Sequence, residues 1–192
     1  MSTENRRSAI LAAVVPLLLE KGAAVTTAEM AQAAGIAEGT IFRVFPDKSR
    51  LIYEAVKTTM DPLPVKAAIE AISPSSTLAA KARAAAQILL DHFSHMTALA
   101  ELLRSSSAPS ASRRTEGRRL IAESSAEISA ALAQLFEQHD GEFRVVSAKA
   151  IAALRGLVFA SVHPLIPADE RLTVDDVVTI LLTGITRHSA TR

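Results

Sequence analysis

The chain contains no cysteine, so neither a disulfide nor a thiolate metal site can contribute to its stability or its chemistry. It has no tryptophan, and aromatic residues make up 4% of its 192 positions, against 49% for hydrophobic residues as a whole. Its core must be assembled from Ala, Leu, Ile and Val, and an alanine-rich chain poor in aromatics favours helix over sheet. Nor does any apolar run approach the roughly 20 residues that cross a bilayer. The longest candidate, residues 156–166, is too short and carries His163. The N-terminal segment lacks a secretory layout, because its apolar run is interrupted by Pro16 and closed by Glu20 and Lys21. These absences lead to the expectation of a cytoplasmic chain with no membrane partner.

A charge excess is missing too. The formal net charge is +1, and residues 1–60 hold seven Lys/Arg against six Asp/Glu. Nucleic-acid binders are often strongly basic, so any affinity for DNA has to come from local placement of charge. The sequence also offers no nucleophile–base pair, no paired carboxylates, no phosphate loop and no complete metal set. An enzyme is therefore not expected, and no cofactor is assigned. Asp91, His92 and His95 have helical spacing, but a third ligand on their side is lacking, and no metal is assigned.

What is present is helical periodicity over most of the chain. Residues 5–21 repeat apolar positions at Ile10, Ala13, Val14, Leu17 and Leu18, with Pro16 expected to bend the helix and Gly22 to end it. Thr26 and Glu29 have the spacing of a capping box, opening a second helix that stops at Gly35. A third helix is expected over 37–44, and a fourth after Pro46 with Asp47 as its cap. Pro62 and Pro64 mark a boundary, which divides the chain into domains 1–60 and 61–192. Beyond it the patterns predict helices at 65–72, 76–103 with a break near Met96 and Thr97, 114–139, 147–162 capped by Ser147, and 173–187 capped by Thr173 and Asp176. Residues 105–112, SSSAPSAS, form a loop. The expected fold is all-α, with about nine helices.

The stretch 26–48, TTAEMAQAAGIAEGTIFRVFPDK, carries the chemistry. At 100° per residue the helix at 37–44 places Ile41 and Phe45 on one side, with Val44 close by. Gly39 and Arg43 fall opposite, flanked by Thr40 and Phe42. A glycine lets the backbone approach a ligand closely. A threonine can donate to phosphate or touch a thymine methyl, and an arginine can read guanine bidentately. Lys48, in the first turn of the next helix, combines an ammonium with outward-pointing amides, which suits a phosphate. Glu38 could accept from cytosine N4 or simply favour the helix N-terminus.

This stretch resembles the TetR family of transcriptional regulators, over about residues 8–56. The resemblance implies an N-terminal helix-turn-helix domain and a C-terminal helical ligand-binding and dimerisation domain. It further implies a homodimer that binds a palindromic operator in double-stranded DNA, usually as a repressor, and leaves it when a small-molecule effector binds. Carried onto this chain, Thr27 and Lys48 would contact phosphate, and Ala37, Glu38, Gly39, Thr40, Phe42 and Arg43 would form the DNA-facing surface. The chain departs from the family where tyrosine usually stands at Phe42, where histidine or tyrosine often stands at Val44, and where a hydroxyl residue often stands at Ala37. A helical small-molecule-binding or interaction protein with weakened or lost DNA binding is the alternative, supported by Phe42, Val44 and the near-neutral charge of residues 1–60.

Two further surfaces are marked in the C-terminal region. Ile88, Leu89, His92, Phe93 and Met96 form a stripe that could line a ligand pocket or an ordinary core. The helix at 147–162 has two apolar stripes where a surface helix needs one, and the last helix is equally broad. Ile151, Leu154, Leu157, Val158, Val177, Ile180, Leu181 and Gly184 are therefore expected in a four-helix interface with a second copy. Arg113, Arg114, Arg118 and Arg119 read as a solvated face with Glu116 and Glu123 as partners.

Overall fold

The computed structural model describes residues 3–106 and 111–185. Among them are nine α-helices, three short 3-10 segments and no strand. The helices are α1 (Thr3–Lys21), α2 (Thr27–Ala33), α3 (Glu38–Val44), α4 (Lys48–Thr59), α5 (Leu63–Glu70), α6 (Leu78–Ser106), α7 (Ala111–Phe136), α8 (Ser147–Val162) and α9 (Val174–Ile185). The centre of the loop foreseen at 105–112 and the end of the last helix lie outside the described residues.

Several boundaries follow from local chemistry. Pro16 lies inside α1, which continues past it to Lys21. The chain then reverses at Gly22, whose φ of 63° is a left-handed conformation that suits a residue without Cβ. Pro64 falls in the first turn of α5, where its missing N–H costs nothing, so the helix starts two residues earlier than its apolar pattern suggests. α6 runs unbroken through Met96 and Thr97, where a break was expected. Buried side chains on both sides of that point, Phe93 before it and Leu99 after it, hold the helix to packed neighbours throughout. Ser147 is not the cap of α8 but its first residue; Val146 holds the cap position without a side-chain bond. The Ser147 hydroxyl instead donates to the Asp140 carboxylate.

The residues cluster into two compact units. The first comprises 1–61 and 95–121, so the second half of α6 and the start of α7 join the N-terminal helices there. Its core gathers Ile10, Val14 and Leu18 of α1, Met30 of α2, Ile41 and Phe45, Leu51 and Ile52 of α4, and Leu99 and Leu102 of α6. Tyr53 and Lys57 of α4 both donate to the Glu116 carboxylate, at 2.7 Å each. Glu116 thus ties the start of α7 to α4. Burial and this carboxylate push the Tyr53 hydroxyl up to about 12.

The second unit comprises 62–94 and 122–192, and here α8 packs against α9. Leu89 and Phe93 of α6, Ile128 and Leu132 of α7, Ile151, Leu154 and Val158 of α8, and Val177 and Leu181 of α9 are buried in it. Phe93 meets Phe159 edge to face, with centroids 5.7 Å apart. Thr173 and Asp176 form the capping box of α9 through bonds of 2.9 and 3.1 Å.

Candidate nucleic-acid interface

The helix-turn-helix is built from hydrogen bonds that span only a few residues. At the head of α2, the Glu29 amide donates to the Thr26 hydroxyl at 3.2 Å and the Thr26 amide donates to the Glu29 carboxylate at 2.8 Å. Lys21 reaches the same carboxylate from the end of α1, at 2.8 Å. That ammonium and the two Thr26 donors hold the Glu29 carboxyl down at about 2. At the tail of α2, Gly35 takes φ 64°. The Ile36 amide reaches back to the Ala31 carbonyl at 3.0 Å and the Gly35 amide to the Gln32 carbonyl at 3.1 Å. This pair of bonds is a Schellman motif, and Ile36 completes it by packing on the core. Both ends of α2 are therefore closed, and the chain enters α3 at a set angle.

α3 has no side-chain cap, since Ala37 occupies that position. Its buried side is Ile41, 1% exposed, with Phe45 just beyond its end at 0% and Val44 half-buried. The Arg7 guanidinium covers the Phe45 ring at 4.7 Å. Ala37, Glu38, Gly39, Phe42 and Arg43 are exposed, while Thr27 and Thr40 are half-buried. Phe42 is 47% exposed, an unusual position for a phenylalanine on so small a unit. Of the reading side drawn from the sequence, Gly39, Phe42 and Arg43 are thus exposed on α3 and Thr40 is half-buried among them.

Lys48 has a tie that spacing did not reveal. Its ammonium donates to the Val25 carbonyl, fastening the start of α4 to the segment before α2. Asp47 caps α4 by accepting from the Arg50 amide at 2.6 Å. The Val25 bond takes one of the three N–H donors of the ammonium.

The C-terminal candidates are distributed differently. A pocket of about 220 Å³ lies in the second unit, with Ile69, Ile72, Lys81, Ala131, Gln134 and Leu135 on its wall. None of Ile88, Leu89, His92, Phe93 or Met96 borders it. Leu89, His92 and Phe93 are buried, and Ile88 and Met96 are half-buried. Lys81 is the residue that sequence reasoning missed. The signal was present, because Lys81 interrupts the apolar stripe Leu78, Ala82, Ala85 and Leu89. Of the residues expected at an intersubunit face, Ile151, Leu154, Val158, Val177 and Leu181 are taken up by the chain's own core. Gly184 is exposed, Leu157 is half-buried and Ile180 is 46% exposed. Phe159, not singled out from the sequence, adds a further exposed ring at 44%.

Among the described residues, no helix is long and apolar enough to cross a membrane, and no group of three or more metal-binding side chains occurs.

Residues 10–55 match the family model of bacterial regulatory proteins of the tetR family. The whole chain is similar to a TetR transcriptional regulator from Streptomyces coelicolor, at 24% identity over 95% of this chain and 99% of that one, with a TM-score of 0.62. It is also similar to NalD, the secondary repressor of the MexAB-OprM multidrug efflux pump in Pseudomonas aeruginosa, at 18% identity over 97% and 98% with a TM-score of 0.54. The superantigen PfiT has the same fold, at 20% identity over 98% and 100% with a TM-score of 0.61. Similarity at this level carries the fold and leaves the activity to the site. The chain thus carries, at residues 10–55, the N-terminal region of the bacterial tetR family, within the fold of TetR-family transcriptional regulators.

Proposed function

We propose that this chain is a cytoplasmic, homodimeric repressor that binds a palindromic operator through α3 and is released by a small-molecule effector. The observation that carries the proposal is the two-sided α3: Ile41 and Phe45 anchor it in the core, and Gly39, Phe42 and Arg43 stand exposed beside Ala37 and Glu38. Arg43 reads a base edge, while Thr27, Thr40 and Lys48 contact phosphates. With Phe42 in place of a hydroxyl-bearing ring, these four side chains carry most of the binding. Domains 1–60 and 61–192 divide the work between DNA and effector. A second copy packs on Leu157, Phe159, Ile180 and Gly184, and two half-sites are then read one helical turn of DNA apart.

Anisotropy titrations of the full chain against labelled duplexes from the DNA flanking its own gene test this. One duplex containing an inverted repeat is expected to bind far more tightly than scrambled DNA, with affinity falling as salt rises because counterions are released. Equal affinity for all duplexes, or none at low salt, would defeat the proposal. It would favour a helical small-molecule-binding or interaction protein, a reading supported by exposed Phe42 and by the shared fold of the superantigen PfiT.

A further inference from the structure

Lys81 occupies a core position. It is 2% exposed, as covered as the alanines along its stripe of α6. A buried ammonium loses its hydration and needs acceptors or an opposite charge in return. Among the described residues Lys81 has one acceptor, the Leu135 carbonyl in the last turn of α7, at 3.2 Å. Carbonyls at a helix C-terminus lack intrahelical partners and lie at the negative end of the dipole, so they suit a cation. Yet one carbonyl engages one of three N–H donors and supplies no full negative charge. Among the described residues no carboxylate pairs with Lys81.

Lys81 and Leu135 also form part of the pocket wall, together with Ile69, Ile72 and Ala131. Gln134 and Glu70, both exposed, stand at the same pocket. A buried cation, an apolar wall and a polar rim are the parts from which small-molecule sites are made. The geometry points to a site for a small monocarboxylate with a short apolar body, its carboxylate on the Lys81 ammonium and its body against Ile69, Ile72 and Ala131. An anion arriving at Lys81 recovers the charge compensation that burial removed, whereas a neutral or cationic molecule of the same shape recovers none. The pocket is smaller than the roughly 300–1,000 Å³ of sites for drug-sized ligands, so the body is a few carbons long. Glu70 repels a second negative charge, which selects against dicarboxylates.

The site gives a chemical class to the effector of the proposed regulator, and in that respect it rests on that reading; its test uses the full chain without DNA. Calorimetric titration with hexanoate, hexanamide and hexylamine is the measurement. Hexanoate is expected to saturate at one per chain and to bind at least about tenfold more tightly than the other two, about 1.4 kcal/mol. Lys81→Met keeps the bulk and removes the charge, and it should abolish the preference for hexanoate while circular dichroism remains helical. Should that variant fail to fold, Gln134→Glu decides: the residue is exposed, and the added charge should weaken hexanoate without affecting hexanamide. Glu70→Gln should act in the opposite direction and tighten hexanoate. Equal binding of hexanoate and hexanamide, indifference to Gln134→Glu, or no saturation by hexanoate in the millimolar range each overturns the site. Hexanoate binding that leaves operator affinity unchanged keeps the site and removes effector release from the proposed function. Operator binding without hexanoate selectivity does the reverse.

Discussion

Arg43 and Phe45 stand two residues apart, one exposed on α3 and the other fully buried just beyond its end. A helix turns about 200° over two residues, so neighbours of this kind serve opposite purposes. On the proposed reading, Arg43→Ala removes a base contact, and it takes nothing from the core. It should cost about 1–3 kcal/mol of discrimination at one base pair and leave Tm unchanged. Lys48→Ala should behave differently, because Lys48 also holds the Val25 carbonyl. It should weaken binding to every sequence alike and lower Tm as well. Titration against single-base operator variants, alongside thermal melts, separates the two. A uniform loss for Arg43→Ala, or an unchanged melt for Lys48→Ala, would contradict this division of roles.

At the scale of the element, α2 and α3 are closed to different degrees. α2 has its capping box, its Schellman turn and the Lys21–Glu29 bridge. Glu29 carries the pH dependence of that arrangement. Its carboxyl sits at about 2 when folded, against 4.5 ordinarily, chiefly through Lys21 and then Thr26. A depressed carboxyl stabilises the fold fully above its unfolded pKa, and that contribution disappears as pH falls through the folded one. The head of α2 should therefore hold down to about pH 4.5 and loosen between there and about 2. A carboxyl NMR titration of Glu29 with a midpoint near 4 would contradict it. α3 has no such device, because Ala37 offers no hydroxyl to its first amides. Ala37→Ser should add a cap and about 0.5–1 kcal/mol of stability, read by urea unfolding. No shift in the urea midpoint would mean that the α3 terminus is already satisfied.

For the whole molecule, the informative surface is on α8 and α9. Each helix gives one stripe to the chain's own core and keeps apolar side chains outside, notably Phe159 and Ile180. At Gly156 and Gly184 a Cβ would meet nothing within 4 Å, so the backbone is open to close approach there. Ile180→Asp places a charge on this face without touching the buried Val177 and Leu181. Light scattering should show a dimer for the native chain and a monomer for the variant, with operator affinity falling as paired half-site binding is lost. A variant that remains dimeric would move the interface elsewhere.

The helix-turn-helix could be read from sequence because its determinants are local. Thr26 and Glu29 are three residues apart, Gly35 supplies the left-handed turn, and the period of α3 separates Ile41 from Arg43. α6 was less legible: the pattern around Met96 and Thr97 suggests a break, but Phe93 and Leu99 are both buried and the helix continues. α8 showed two apolar stripes, and nothing within one helix says which of them its own chain covers. Packing against the rest of the unit buries Ile151, Leu154 and Val158 and leaves Phe159 outside. Sequence by itself determined the all-helical class, the ends of α2 and the two sides of α3, since those depend on bonds and angles within a few residues. Tertiary structure alone decided the tie of Lys48 to Val25, the seat of Lys81 beneath Leu135 and the position of the pocket. Those depend on which distant backbone carbonyl and which neighbouring helix come within reach, and no periodicity along the chain encodes that.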